Sequence, residues 1–251
     1  MYLAWDECFL DVGDNNEIRE FTSIHRSSKS RDRTVIGDNN LIMGSCHIAH
    51  DCKIGNNNIF ANTTLLAGHV IVEDYVHTGG ATVVHQFCYI GSFSFIGGGS
   101  VVSQDVPKYM MVSGDRAELR GLNFEGLRRC GFQVTEPETI LSCIYFGLYS
   151  CLHFLSCVCF HRPMKMFDIW HKTDCCRPEG NIMIKSLRTA YRKIFMPSNT
   201  NSMGFDERLS EVEHNEDLGS VPAVCSMLQS IRDSFTENRR GVCKFRQWSS
   251  S

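Results

Sequence analysis

Residues 45–102 read SCHIAHDCKIGNNNIFANTTLLAGHVIVEDYVHTGGATVVHQFCYIGSFSFIGGGSVV, and a period of six runs through all of it. A large apolar residue recurs at Ile48, Ile54, Phe60, Leu66, Val72, Val84, Ile90, Ile96 and Val102, with Thr78 in the remaining place. Two positions before each stands a smaller residue: Cys46, Cys52, Asn58, Thr64, Val70, Val76, Thr82, Cys88, Ser94 and Ser100. Carried toward the amino end, the same step meets Ile42, Ile36, Ser30, Ile24, Ile18 and Val12, so fourteen of sixteen positions are apolar. A period this short predicts one short strand and one turn per hexad, with the apolar residue and its small companion pointing into a narrow three-sided prism. Three hexads then make a coil of about 18 residues, and coils stack at the strand spacing of ~4.8 Å. About five coils fit between Val12 and Val102. The basic, Ser-rich run HRSSKSRDRT, residues 25–34, breaks the pattern and reads as an external loop.

This register fixes what several residue types are for. Cys46, Cys52 and Cys88 fall at the small inward position with no zinc spacing around them, and read as small buried hydrophobes rather than metal ligands. His47, His50, His69, His77 and His85 fall off the inward positions, on the outside of the prism or at its corners. A lone surface histidine is usually bland. His50, Gly68 and Gln86, however, are spaced by 18, and so form a column on consecutive coils. A potential base, a bare backbone N–H and an amide are thereby brought to one face.

The composition bounds the partners. With 25 basic against 28 acidic residues and a formal charge of −3, the chain offers no basic field for a nucleic-acid backbone. At 43% hydrophobic and 21% charged over 251 residues, it has the material for a core. The 13 cysteines are unevenly spread, six of them (Cys143, Cys151, Cys157, Cys159, Cys175 and Cys176) lying close together. The amino end, with Asp6, Glu7 and Asp11, shows no targeting signal.

Four stretches carry a family resemblance: SCHIAHDCKIGNNNIFANTTLLAGHV (45–70), GGATVVHQFCYIG (79–91), VSQDVPKYMMVSGD (102–115) and GLNFEGLRRCGF (121–132). KSLRTAYRKIF (185–195) adds a fifth. Together they resemble the bacterial and plant UDP-N-acetylglucosamine O-acyltransferases, enzymes of the first acylation in lipid A biosynthesis. Hexapeptide periodicity alone admits many acyltransferases and some carbonic anhydrases; the set H-I-A-H-D, L-A-G-H-V, V-H-Q-F and N-x-E-G-L-R-R is narrower. The resemblance implies a mainly β protein: a left-handed parallel β-helix of hexapeptide repeats over 12–115, after a non-repeat lead at 1–11, followed by a C-terminal α-helical region over 116–251. It implies a homotrimer with sites between neighbours, acyl carrier protein thioester and UDP-N-acetylglucosamine as substrates, and no metal or dissociable cofactor. A 3-hydroxyacyl group would pass to the glucosamine 3-hydroxyl.

Residue by residue, the resemblance makes His50 the general base, Asp51 its orienting partner and Gly68 N–H the oxyanion donor, in agreement with the column. Adjacent residues of a strand face opposite ways, so His50 and Asp51 can cooperate only at a corner. His47, His69 and Gln86 would line the sugar and acyl positions, Gly98 the far end of the acyl chain, and Asn123, Glu125 and Arg129 the nucleotide. Without the resemblance, these last three read as capping and solvated-face residues at the start of a helix.

The chain departs from the family pattern in three places. The family's β-helix has further coils at its amino end; Cys130 stands where a second arginine is common; and an atypical apolar, Cys-rich insertion at about 139–180 interrupts the helical region. The run TILSCIYFGLYSCLHFLSCVCF, residues 139–160, carries no formal charge and is long enough to span a bilayer. Its composition and position favour translated non-coding sequence over a membrane anchor or a buried core helix. Residues 181–196 then predict an amphipathic helix, 197–220 a polar connection, and 221–247 a final helix or two. The second functional reading is a catalytically weak isoform that only oligomerises. The compartment reads as mitochondrial or cytoplasmic.

Overall fold

The computed structural model describes residues 7–28, 32–131, 180–197 and 203–245. The apolar run at 139–160, most of the insertion around it and the first six residues lie outside these. Among the described residues, no helix is long and apolar enough to cross a membrane.

The hexads fold into a parallel β-solenoid with three faces. The first face stacks Phe9–Val12, Arg33–Ile36, Lys53–Ile54, Ile71–Val72 and Tyr89–Ile90. The second stacks Glu17–Ile18, Leu41–Ile42, Ile59–Phe60, His77–Thr78 and Phe95–Ile96, and continues into Met110–Ser113 with Glu118–Leu122 antiparallel to it. The third stacks Ser23–Ile24, His47–Ile48, Leu65–Leu66, Val83–Val84 and Val101–Val102. The first strand begins at Phe9, so part of the expected non-repeating lead is paired.

From Arg33 to Val102, stacked residues are 18 apart, as Ile36 with Ile54 and Val72 with Ile90, and the last parallel step, Ile96 with Val112, is 16. Between the first and second coils the step is 24, as Val12 with Ile36 and Ile24 with Ile48. The excursion after Ile24 therefore adds the length of one hexad and leaves the six-residue phase unbroken. It is also shorter than the expected loop, because Arg33 and Thr34 already belong to a strand.

The interior follows the expected register. Ile36, Ile42, Ile48, Ile54, Phe60, Leu66, Val72, Ile90, Ile96 and Val102 are fully buried, and so are their companions Cys46, Cys52 and Cys88. Burial pushes the Cys52 thiol up to about 11 and the Cys88 thiol up to about 12, the behaviour of packing groups rather than nucleophiles. Thr78, the polar exception, is satisfied by Thr64, with the two hydroxyl oxygens 2.7 Å apart. The lowest coil departs from the pattern: Val12 and Ile18 are 45% and 42% exposed, because nothing described stacks beneath them.

Three residues after most of the large apolar residues the backbone turns with positive φ, as at Asn39, Asn57, Asp51 (φ 62°) and His69 (φ 61°). This left-handed turn makes the corner. Asn tolerates it well, and other side chains accept a modest cost.

The carboxyl end is closed by helices. Helix α1 (Phe124–Arg129) follows the last strand, and then come α2 (Gly180–Phe195), α3 (Phe205–Glu213), α4 (Glu216–Gly219) and α5 (Pro222–Asp233). The expected amphipathic face of α2 is buried at Ile184, Leu187, Tyr191 and Ile194. The stretch expected as a polar connection instead holds α3 and α4, anchored by Leu209, Val212 and Leu218; these apolar residues are too sparse to outweigh the acidic residues between them in the sequence. Asp105, fully buried, ties the helices to the solenoid by accepting from Arg239 Nε at 3.0 Å, Arg239 Nη2 at 2.9 Å and the Tyr89 N–H at 2.8 Å.

Candidate active site

The corner between the third and first faces carries the candidate site. The Ala49–His50–Asp51 turn brings two neighbouring side chains together: His50 Nδ1 lies 2.7 Å from Asp51 Oδ2. The left-handed backbone of Asp51 makes this possible, because it folds the carboxylate back toward its neighbour instead of across the strand. Asp51's side chain is 1% exposed and that of His50 35%, so the pair presents an imidazole to solvent and keeps its partner dry.

Gly68 stands one coil above. A Cβ built on it would lie 2.7 Å from His50 Cε1 and 2.9 Å from Nε2, so the imidazole packs against bare backbone. The N–H groups on either side, Ala67 and His69, donate to the carbonyls of Val84 and His50. The Gly68 N–H finds no acceptor among the described residues. An N–H free of backbone partners recurs at this corner position in other coils, such as Gly44 and Gly80; what distinguishes Gly68 is the histidine beside it.

His69 joins the cluster, with Nε2 3.6 Å from Asp51 Oδ2, its ring edge-on to His50 at 5.3 Å and stacked on Phe87 at 4.7 Å. Asp51 also accepts from the N–H and the hydroxyl of Ser28. Burial raises its carboxyl pKa, but the bonds from Ser28 and His50 and the nearness of His69 outweigh it and hold the group below its ordinary value. Asp51 is therefore ionised across the neutral range and accepts only, which puts the His50 proton on Nδ1 and leaves Nε2 as the basic nitrogen.

The other expected site residues divide by position. Gln86 is exposed and completes the column, with the Phe87 N–H bonded to the Gly68 carbonyl. His47, three residues before His50, is held by Ser23 Oγ at 2.7 Å from Nδ1 and packs edge-on against His25. Gly98 is exposed on a different corner, above Gly80. Asn123 caps α1, accepting from Gly126 N–H at 3.0 Å while its amide donates to the Phe93 carbonyl at 2.9 Å. Glu125 accepts from Arg128 and from Arg129, with Arg129 Nε at 2.7 Å. Arg129 lies near His77, on the second face, across the prism from His50.

One chain thus brings together His50, Asp51, Gly68 and His69, and leaves Gly98 and the Asn123–Glu125–Arg129 group apart from them. Ser28 and Phe87 escaped the sequence reading. The run containing Ser28 has no hexad pattern, and its separation of 23 residues from Asp51 matches neither the 18-residue nor the 24-residue step. The three ligand-capable groups His50, Asp51 and His69 stand close enough for a metal ion to be considered. His50 and Asp51 are joined by a hydrogen bond, and Nδ1 and Oδ2 at 2.7 Å are closer than two ligands of one ion usually stand.

Known proteins resemble this chain in sequence and in fold. A family model described as Udp N-acetylglucosamine O-acyltransferase, Domain 2, matches residues 105–149, and one described as bacterial transferase hexapeptide (six repeats) matches residues 33–68. The Arabidopsis thaliana protein named probable acyl-[acyl-carrier-protein]--UDP-N-acetylglucosamine O-acyltransferase, mitochondrial, is 62% identical over 247 residues, covering 98% of this chain and 60% of that relative. The correspondingly named enzyme of Ectopseudomonas mendocina is 53% identical over 124 residues, 49% of this chain and 48% of its own length. The chain therefore spans about half to three fifths of these relatives. Among solved structures, the Arabidopsis UDP-N-acetylglucosamine acyltransferase superposes with a TM-score of 0.75 at 61% identity, over 97% of this chain and 68% of that one. The Moraxella catarrhalis UDP-N-acetylglucosamine O-acyltransferase gives 0.66 at 31% identity, over 96% and 72%.

Proposed function

The chain belongs to the UDP-N-acetylglucosamine O-acyltransferase family, and from that premise we propose that it transfers a 3-hydroxyacyl group from acyl carrier protein to the glucosamine 3-hydroxyl of UDP-N-acetylglucosamine, the first step of lipid A biosynthesis. The observation that carries the reading is the His50–Asp51 pair packed against the unspent N–H of Gly68.

In the proposed reaction His50 Nε2 takes the proton of the sugar hydroxyl as its oxygen attacks the thioester carbonyl. Asp51, ionised and buried, keeps the imidazole in the right tautomer and stabilises the imidazolium that forms. The oxyanion of the tetrahedral intermediate meets the Gly68 N–H, which the absence of a side chain leaves open to close approach. Collapse breaks the carbon–sulfur bond, and the departing thiolate receives the proton from His50. His47, His69 and Gln86 would line the sugar and acyl positions around this centre.

Gly98, proposed at the far end of the acyl chain, and Asn123, Glu125 and Arg129, proposed at the nucleotide, lie elsewhere on the prism. That separation supports a homotrimer, in which a cleft between two copies presents the His50 corner of one and other surfaces of its neighbour. Asn123 would then act by shaping the helix start, since both ends of its amide are already bonded. A mitochondrial setting follows from the name of the Arabidopsis relative.

The test is turnover of 3-hydroxyacyl carrier protein with UDP-N-acetylglucosamine by the purified protein. His50→Ala is expected to lower kcat by about 10²–10⁴-fold, the usual worth of a general base, while His214→Ala on the exposed end of α3 leaves it unchanged. An oligomer with no turnover would favour the reading of an inactive partner; equal rates for His50→Ala and the parent would refute the base.

A further inference from the structure

The excursion between the first and second coils closes on Asp51 from both ends. At its start, the Ser28 N–H lies 3.0 Å from Oδ1 and 3.2 Å from Oδ2 of Asp51, and the Ser28 hydroxyl donates to Oδ2. At its end, fully buried Thr34 accepts the Asp51 N–H on Oγ1 at 2.9 Å. Here the step between coils lengthens from 18 residues to 24, and the excursion delivers two side chains to one aspartate.

A carboxylate can rotate about its own axis, and a rotation here would swing Oδ2 away from His50 Nδ1. Ser28 grips both oxygens, which sets the plane of the group; the 2.7 Å contact to Nδ1 then passes that direction to the imidazole. We propose that Ser28 is a positioning residue for the His50–Asp51 pair: through Asp51 it fixes where Nε2 points, without touching the reacting atoms. The inference rests on His50 being the base. Its size follows from how steeply rate depends on alignment, where a misplacement of about 1 Å costs on the order of 10²-fold.

Ser28→Ala, Ser28→Thr and His50→Ala are compared for kcat, for KM toward both substrates, for thermal midpoint and by 15N NMR of the imidazoles. Ser28→Ala is expected to lower kcat about tenfold, with both KM values and the midpoint close to the parent; Ser28→Thr, which keeps the hydroxyl, restores the rate. In the spectra, the parent and Ser28→Thr hold the proton of His50 on Nδ1, and Ser28→Ala mixes the two tautomers. An unchanged tautomer in Ser28→Ala overturns the proposal, whether or not the chain turns over. Parent-like turnover in Ser28→Ala beside an inactive His50→Ala overturns the positioning role alone; parent-like turnover in His50→Ala overturns the base itself. A lost midpoint or raised KM that Ser28→Thr does not repair would make the role structural and overturn it too.

Discussion

At the scale of single residues, the site depends on what is missing at Gly68 as much as on what is present at His50. Gly68 is not among the glycines with positive φ, so an alanine there meets no backbone strain. Its methyl would instead fall 2.7 Å from His50 Cε1 and 2.9 Å from Nε2, too close for either to stay. Gly68→Ala is therefore expected to lower kcat by at least about 10²-fold by displacing the base and crowding the oxyanion position, with a thermal midpoint near that of the parent. A crystal structure of the variant with His50 unmoved, or an unchanged kcat, would contradict this. Asp51 illustrates the same economy. A left-handed corner recurs in every coil, and here one such residue turns a carboxylate onto its neighbour.

At the scale of elements, the strand His77–Thr78 carries a histidine that is chemically unlike His50. Burial, and to a smaller extent the nearby Arg129, pushes its pKa down to about 4. Its ring lies edge-on to Phe95 at 5.4 Å. In the unfolded chain a histidine titrates near ~6.5, so between that value and about 4 the unfolded state binds a proton that the folded state refuses. Folding stability from this group is thus full above pH ~6.5 and lost as the pH falls toward the folded value, a change on the order of 2–3 kcal/mol. Denaturant titrations across this window should show the loss in the parent and a flatter profile in His77→Phe. Identical slopes would mean that the ring keeps enough water to stay protonated. The strand also marks a contrast within the solenoid, because His77 has Arg129 of α1 nearby while the side chain of His50 is 35% exposed at its corner.

At the scale of the whole molecule, the two sides of each strand have opposite fates. Ile54, 2% exposed, is stacked between Ile36 and Val72 inside the prism, while Ile71 on the next strand of the same face is 38% exposed. Ile54→Asp places an unpaired charge where no water reaches it, at a cost of several kcal/mol, and should abolish the β-rich circular dichroism of the soluble protein. Ile71→Asp should leave that spectrum intact. If both variants fold alike, the inward register is wrong. Sedimentation of the parent is expected to report a trimer, since Leu65 and Phe87 are also exposed on the outer surface beside the site; a monomer active in turnover would remove the case for a cleft between copies.

The hexad pattern by itself determined the solenoid, its inward residues and the His50–Gly68–Gln86 column, because a period-six stack depends on local strand and turn preferences and on residue size, all written along the chain. The amphipathic stripe of α2 was legible for the same reason. Helices α3 and α4 were not, since Leu209, Val212 and Leu218 gain their burial from neighbours distant in sequence. The tertiary structure alone decided that Asp51 turns onto His50, that Ser28 reaches Asp51 from 23 residues away, and that Asn123 is occupied by its own helix start. Each of these depends on a backbone dihedral or on an irregular excursion, and neither leaves a periodic trace in the order of the residues.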